Sequence, residues 1–417
     1  MRRNGRGAAA AAAAVVAVLA VGGCSKDAGD APKPLAADAR FVGVAADAGN
    51  VDPMARASVE LATGLLDVAG AGDGEVVSPL SLQLALALLR EGASGTVAAE
   101  IDAVAGLGGS QSVADLRALL AELDGDVAGI DPKDPPSTPV LHIADSVFTQ
   151  DGFEVAPSFL DRVATYHAAD VFALDFGGEG AQPALDSWVV RETGGLMTEC
   201  PVQVTDRTRI VLMDTVTFGA TWASRFSADD TWDEEFTRRD GTVVQVPFMH
   251  QDTWAAWATT DEWVAVELPY TEHFAMRLVL PESGTLTAAD WARVHADLSG
   301  ADRGEIDLSL PTWTTDTTLS LTDHLGTLGL GSLLEPDGDL DGVFPSAVVS
   351  EVAQAATITA AEKGTVAAAM TAIADETSAV PPRALLEVSF DRPYEYQVVH
   401  QDTGLVLFAG RVGDPSA

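Results

Sequence analysis

Two interior stretches of the chain are apolar with little relief. The first opens at Ser78-Pro79-Leu80-Ser81 and runs to Leu89. Leu80, Leu82, Leu84, Leu86, Leu88 and Leu89 fall almost all round a helix, so the spacing predicts a helix at the centre of the molecule. Ser78 suits the N-cap and Pro79 the first helical position, while Gly92 to Thr96 supplies the stop. The second stretch, Ile210 to Phe218, reads as a strand buried on both faces.

Weaker patterns surround these two. Ser58–Val68, Asp115–Leu123 and Phe159–Tyr166 have helical spacing. Val140–Phe148, Val171–Phe176, Ala265–Tyr270, Phe274–Pro281 and Val352–Thr359 read as strands, and Glu235–Thr237 with Gly241–Met249 as a hairpin. There is no internal repeat, and no linker past residue 50 is long enough to divide the chain. Together these elements predict one α+β domain over residues 51–417, with packed sheets and surrounding helices.

The N-terminus breaks this pattern. Arg2, Arg3 and Arg6 precede the apolar run Ala8–Ala20, and Val21-Gly22-Gly23 leads into Cys24. Residues 1–23 therefore read as a signal peptide, and Cys24 resembles the lipidated cysteine of a bacterial lipobox. An ordinary signal peptide is the alternative; a spanning helix fits the short, alanine-rich run less well. Residues 24–50, rich in Ala, Asp, Gly and Pro, read as a flexible tether. The expected location is the outer side of the cell envelope, membrane-anchored or secreted. Cys200 is the only other thiol and reads as a buried small residue, so no disulfide is expected with a lipidated Cys24.

Charge narrows the function classes. With 62 acidic and 24 basic residues the formal net charge is −38, which repels phosphate backbones and anionic headgroups. Nucleic acid is thus excluded as a partner, and membrane contact is expected only through lipid on Cys24. Asp337-Gly338-Asp339-Leu340-Asp341-Gly342 imitates the start of a calcium loop, but the twelfth position is Val348 rather than a carboxylate. The seven histidines (142, 167, 250, 273, 295, 324, 400) form no HExxH pair and no tight cluster along the chain, so no metal and no cofactor are expected. Neither a G-x-S-x-G elbow nor a phosphate-binding loop occurs, which leaves no positive evidence for an enzyme.

One stretch remains unexplained by ordinary folding. Glu362-Lys363-Gly364-Thr365-Val366-Ala367-Ala368-Ala369-Met370-Thr371-Ala372 follows a strand and carries no charge from Gly364 until Asp375. It reads either as a surface loop or alanine-rich turn, or as a segment exposed in one state and packed as a strand in another. Thr365, Ala367, Ala369 and Thr371 share one strand face, and none would be costly to bury.

Glu362, Gly364, Thr365, Ala367, Ala368 and Ala369 resemble the proximal hinge of the serpins, with Val366 in place of the usual acidic residue. Phe390-Asp391-Arg392-Pro393-Tyr394 and Asp402 to Val412 resemble the family's C-terminal strands, and the resemblance extends from about Pro53 onward. It implies three β-sheets, surrounding helices and an exposed reactive-centre loop. The implied function is suicide inhibition of a serine protease: loop cleavage, insertion of the loop into the main sheet, and covalent trapping. Ser78 and Ser81 match the family's shutter and Trp222 its breach. Asp186 and Gln354 stand where the resemblance implies an asparagine–histidine pair, so a pairing between them is expected, without histidine's switch near neutral pH. Counting forward from Gly364 places the reactive bond at Ser378–Ala379, which suits an elastase-like or subtilisin-like protease; a site nearer Arg383 would suit a trypsin-like one. The expected protein is a monomer. The alternative is a non-inhibitory surface lipoprotein that uses the same scaffold to bind a partner or ligand.

Overall fold

The computed structural model describes residues 33–35, 47–70, 72–128, 130–131, 133–335, 337–365 and 386–416. After β1 (Lys33–Leu35) come α1 (Asp52–Ala69), β2 (Gly74–Val77), α2 (Pro79–Arg90), α3 (Gly95–Ala105) and α4 (Ser110–Leu120). The middle of the chain supplies β3 (Val140–Gln150), α5 (Pro157–His167), β4 (Asp170–Leu174), α6 (Ala181–Glu192) and β5 (Ile210–Thr221). Next are β6 (Thr231–Thr237), β7 (Val243–Thr259), β8 (Trp263–Pro269), β9 (Phe274–Pro281), α7 (Ala288–Gly300), β10 (Arg303–Pro311) and β11 (Trp313–Ser320). The last are β12 (Ala353–Ala361), β13 (Gly364–Thr365), β14 (Leu386–Ser389), β15 (Tyr394–His400) and β16 (Leu405–Val412). Among the described residues no helix is long and apolar enough to cross a membrane.

The strands form two sheets. One has the order β1-β4-β3-β5-β13-β12-β11, the other β14-β10-β7-β8-β9-β15-β16-β2, with β6 paired to β7. The long strand β7 pairs with β6 over residues 243–249, with β10 over 248–256 and with β8 over 256–259. It thereby fuses two of the three expected sheets into one hydrogen-bonded surface.

The helix predicted at the centre is there. The Ser78 hydroxyl accepts from the Ser81 N–H at 3.2 Å as an N-cap, and Leu80, Leu82, Leu84, Leu86, Leu88 and Leu89 are all buried. At about 1.5–3 kcal/mol per fully buried leucine, this one helix is a large share of the hydrophobic stabilisation. It packs against β5 and β16, between the two sheets.

Alternation along β5 gives the seven-stranded sheet two differently covered faces. Ile210, Phe218 and Ala220 belong to the cluster that includes α2, while Val211 and Met213 pack with Leu185, Trp188 and Val189 of α6. The expected full burial of β5 fails at Leu212, Asp214 and Val216, which are only half-buried. Along the edge of β5 that faces β12, no described strand pairs with residues 210–219.

Part of the expected tether is structured. Lys33–Leu35 pairs antiparallel with Val171–Ala173 and so adds a strand at the edge of the sheet. The calcium-like segment also has a structural role. Asp339 Oδ2 accepts from the Thr96 N–H at 2.8 Å at the start of α3, and Asp341 Oδ1 accepts from the Ser346 N–H at 2.7 Å. Cys200 is buried, and burial raises its thiol pKa to about 11, which makes it inert.

Candidate functional site: a slot in the seven-stranded sheet

β13 is two residues long and sits between β5 and β12. Gly364 pairs with Thr221 and Ala361, and Thr365 with Ala220 and Ala360, antiparallel on both sides. Beyond Thr365, no described strand lies between residues 210–219 of β5 and residues 353–359 of β12. A cavity of about 120 Å³ opens there, lined by Leu212, Asp214 and Val216 of β5, Ala356 and Ile358 of β12, and Ser81 of α2. The sheet therefore carries the start of a central strand and space for its continuation.

The hinge is held at the top of this slot by several independent contacts. The Trp222 ring stacks on Tyr270 at 4.5 Å between centroids, and its Nε1–H donates to the Ala361 carbonyl at 2.9 Å. The Trp222 N–H donates to the Lys363 carbonyl and the Phe226 N–H to the Glu362 carbonyl, at 3.0 and 2.9 Å. Thr365 is 1% exposed, and its hydroxyl accepts from Tyr270 Oη at 2.7 Å. Burial pushes the Tyr270 phenol well above its usual range, so it stays a neutral donor. Lys363, one of four lysines in the chain, forms an ion pair with Asp134.

Gly364 is required by space. A Cβ there would lie 2.2 Å from the Ala220 carbonyl oxygen and 2.8 Å from Pro135 Cγ. Any side chain would push the hinge out from between β5 and β12. Trp222, Glu362, Gly364 and Thr365 are thus brought together. Ala367, Ala368, Ala369, Ser378, Ala379, Arg383 and Cys24 lie outside the described residues.

Lower in the slot the expected pairing is replaced by another. Gln354 Oε1 accepts from the Ser78 N–H at 3.0 Å, and its Nε2 donates to the Ser78 carbonyl at 2.7 Å. This pins β12 to the start of α2, while the Ser78 hydroxyl donates to the Leu407 carbonyl of β16 at 2.8 Å. Asp186 does not meet Gln354. It sits on α6, across the opposite face of the sheet, where Oδ1 accepts from the Cys200 N–H at 2.9 Å and from Gln182 Nε2 at 3.1 Å. Sheet alternation decides this: Gln354 points inward to α2, whereas α6 covers the outer face.

The acidic residue that does line the slot is Asp214. It pairs across strands with Asp145 of β3, and both point to the α2 side. Neither Asp214 oxygen is exposed to solvent, and neither meets a donor among ordinary partners; Asp145 Oδ1 is in the same position. Asp145 forms an ion pair with Arg117 of α4. Burial works to raise the Asp145 pKa, but Arg117, a hydrogen bond from Asp214 and the nearby His167 outweigh it and hold it low. Burial, and then the neighbouring Asp145 carboxylate, push Asp214 well above the usual carboxyl range, although Ser81 and Arg117 oppose this. A protonated Asp214 resolves the unpartnered oxygens, because its O–H can donate to the ionised Asp145. The sequence carried one signal of this: Asp214 is the one charged residue in the run Ile210–Phe218.

The site is thus a two-sheet body with a central slot in which no described strand follows Thr365. A family model described as Serpin (serine protease inhibitor) matches residues 58–415, and the chain belongs to this family. Members are generally protease inhibitors rather than enzymes. A serpin-like protein of Thermococcus kodakarensis is 28% identical over 361 residues, covering 84% of this chain and 82% of the relative. Serpin-ZXA of Oryza sativa is 29% identical over 375 residues, covering 83% and 91%. Among solved structures, the thermophilic serpin tengpin in its native state superposes with a TM-score of 0.78 at 20% identity, covering 92% of this chain and all of that one. Serpin-12 of Manduca sexta gives 0.73 at 18% identity, covering 88% and 99%.

Proposed function

We propose that this chain inhibits serine proteases as a suicide substrate. The observation that carries the proposal is the seating of Gly364 and Thr365 between β5 and β12, above a slot that no described strand fills. If the same register continues, Ala367 comes opposite Phe218 and Ile358, Ala369 opposite Val216 and Ala356, and Thr371 opposite Asp214 and Gln354. Asp375 then reaches Ile210, the end of β5, and Ser378 lies just past the end of the sheet. The inward face of the inserted strand would be Thr, Ala, Ala and Thr, which fits a narrow cavity over α2.

The chemistry is the protease's own. Its serine oxygen adds to the Ser378 carbonyl, the peptide bond breaks, and the Ala379 amine leaves with a proton, so that Ser378 is held as an ester. Insertion of residues 366–375 then competes with attack of water on that ester. Carrying the attached protease to the far end of the sheet would disturb its active site before water completes hydrolysis. The small residue before the bond favours elastase-like or subtilisin-like targets, and the inhibitor acts as a monomer.

The test is a panel of elastase-like, subtilisin-like and trypsin-like proteases, read on denaturing gels with mass spectrometry of the released peptide. A denaturant-stable complex and a C-terminal peptide beginning at Ala379 are expected with a small-pocket enzyme. Cleavage of the loop by every enzyme with no stable complex would refute inhibition, and would favour a scaffold that binds a partner without trapping it.

We further propose that Cys24 is the lipid-bearing first residue of the mature chain, on the outer side of the cell envelope. The support is the small-residue Val21-Gly22-Gly23 sequence after the apolar run. Detergent partitioning and the mass of the mature N-terminus test it. A water-soluble mature chain starting at a residue other than Cys24 would overturn it.

A further inference from the structure

The sequence offered no metal site because His273 and Asp402 are 129 residues apart. The fold brings them together. His273 precedes β9 and His400 ends the neighbouring β15, where His400 pairs with Phe274. One ligating atom each from His273, His400 and Asp402 lies within 4.8 Å of the other two. His273 Nδ1 is 3.1 Å from Asp402 Oδ2, and His400 Nε2 is 3.9 Å from the same oxygen. A tetrahedral Zn²⁺ with bonds of about 2.0–2.2 Å sets its ligand atoms about 3.3–3.6 Å apart, a spacing that the two histidine–carboxylate separations bracket, so Asp402 sits where it could share an ion with either ring.

We propose that His273, His400 and Asp402 form a site for a divalent transition metal, Zn²⁺ above all, with a fourth position open to water.

Two features of the surroundings support this assignment. His400 is buried and its Nδ1 is held by the Thr403 hydroxyl at 3.0 Å, which orients the ring and leaves Nε2 facing Asp402. His273 has a φ of 54°, an uncommon backbone for a histidine, and the Gln401 N–H donates to its carbonyl at 2.7 Å. That contact ties the His273 turn to the segment carrying Asp402. Two imidazoles and one carboxylate select Zn²⁺ over Ca²⁺ or Mg²⁺, which take all-oxygen shells. The rest of this acidic surface would bind divalent ions weakly and without such selectivity.

The experiment is calorimetric titration of the full chain with Zn²⁺ in excess Mg²⁺, alongside Co²⁺ absorption to read coordination geometry. One ion per chain is expected, with a tetrahedral cobalt spectrum and a higher melting temperature in Zn²⁺. His273→Ala and Asp402→Asn, both exposed positions that should fold normally, should each weaken binding by about 10- to 100-fold and abolish the cobalt spectrum. Absence of stoichiometric binding would overturn the site. So would binding that survives both substitutions, or that Mg²⁺ displaces, since either would assign the ion to surface carboxylates.

Discussion

On the proposed mechanism, Thr365→Arg should turn the chain from an inhibitor into a substrate. Thr365 is sealed between Ala220 and Ala360, with its hydroxyl on Tyr270. A guanidinium there would be buried without a partner, at a cost of several kcal/mol, so the hinge would leave the slot and insertion would begin from further out. A penalty of about 2 kcal/mol in the insertion barrier slows that step about 30-fold. Deacylation would then win, and the inhibition stoichiometry, in moles of chain per mole of protease, should rise many-fold while loop cleavage continues. Thr365→Val keeps the volume but leaves the Tyr270 hydroxyl unpaired, a smaller loss of about 1–3 kcal/mol. An unchanged stoichiometry for the arginine variant would remove Thr365 from the mechanism.

The second large effect concerns Asp145 and Asp214, and it has opposite signs at the two residues. The native chain holds a proton on Asp214 that the unfolded chain releases at the ordinary carboxyl pKa of about 3.9. Native stability from this group is therefore complete below that pH and is lost as pH rises through the raised pKa of Asp214. Asp145, held low, contributes in the reverse sense: its stabilisation is present above the ordinary pKa and is lost on acidification. Asp214→Asn keeps a donor for Asp145 without a titrating proton. It should raise the melting temperature on the alkaline side and flatten the pH dependence there. Asp145→Asn leaves Arg117 buried without its partner and should cost about 3–5 kcal/mol. Melting curves from pH 5 to 9 check both. An Asp214→Asn protein with the wild-type pH slope would place that slope elsewhere.

Elements with a strong local pattern were legible from residues alone. The cap at Ser78, the leucines of α2 and the strand periods of β3, β8 and β9 are local properties of sequence, and the structure keeps them. What was hidden depends on register and on sheet faces. The opposition of Asp145 and Asp214 follows from how β3 and β5 align, which no local pattern encodes. Asp186 was placed at the slot because its motif matched, yet it lies on α6, on the other face of the sheet. The half-burial of Leu212 and Val216 was unreadable for a related reason: their run looks like any buried strand, and only the sheet order shows that no described strand pairs with that edge of β5. β1 is three residues long and without apolar periodicity, so its place at the sheet edge comes from tertiary pairing with β4.

The central claim is that the slot between β5 and β12 accepts the loop as a strand. Its most direct test is to cut the loop with a protease that is not trapped, and to compare hydrogen exchange and thermal unfolding before and after. Roughly ten residues, 366–375, would gain pairing on both sides, and at about 1 kcal/mol per hydrogen bond the gain is of order 10 kcal/mol. The account predicts that the cleaved chain, its fragments still associated, melts far above the intact one, with new protection along 210–219 and 353–359. A cleaved chain that melts at or below the intact temperature, with exchange in those strands unchanged, would contradict it.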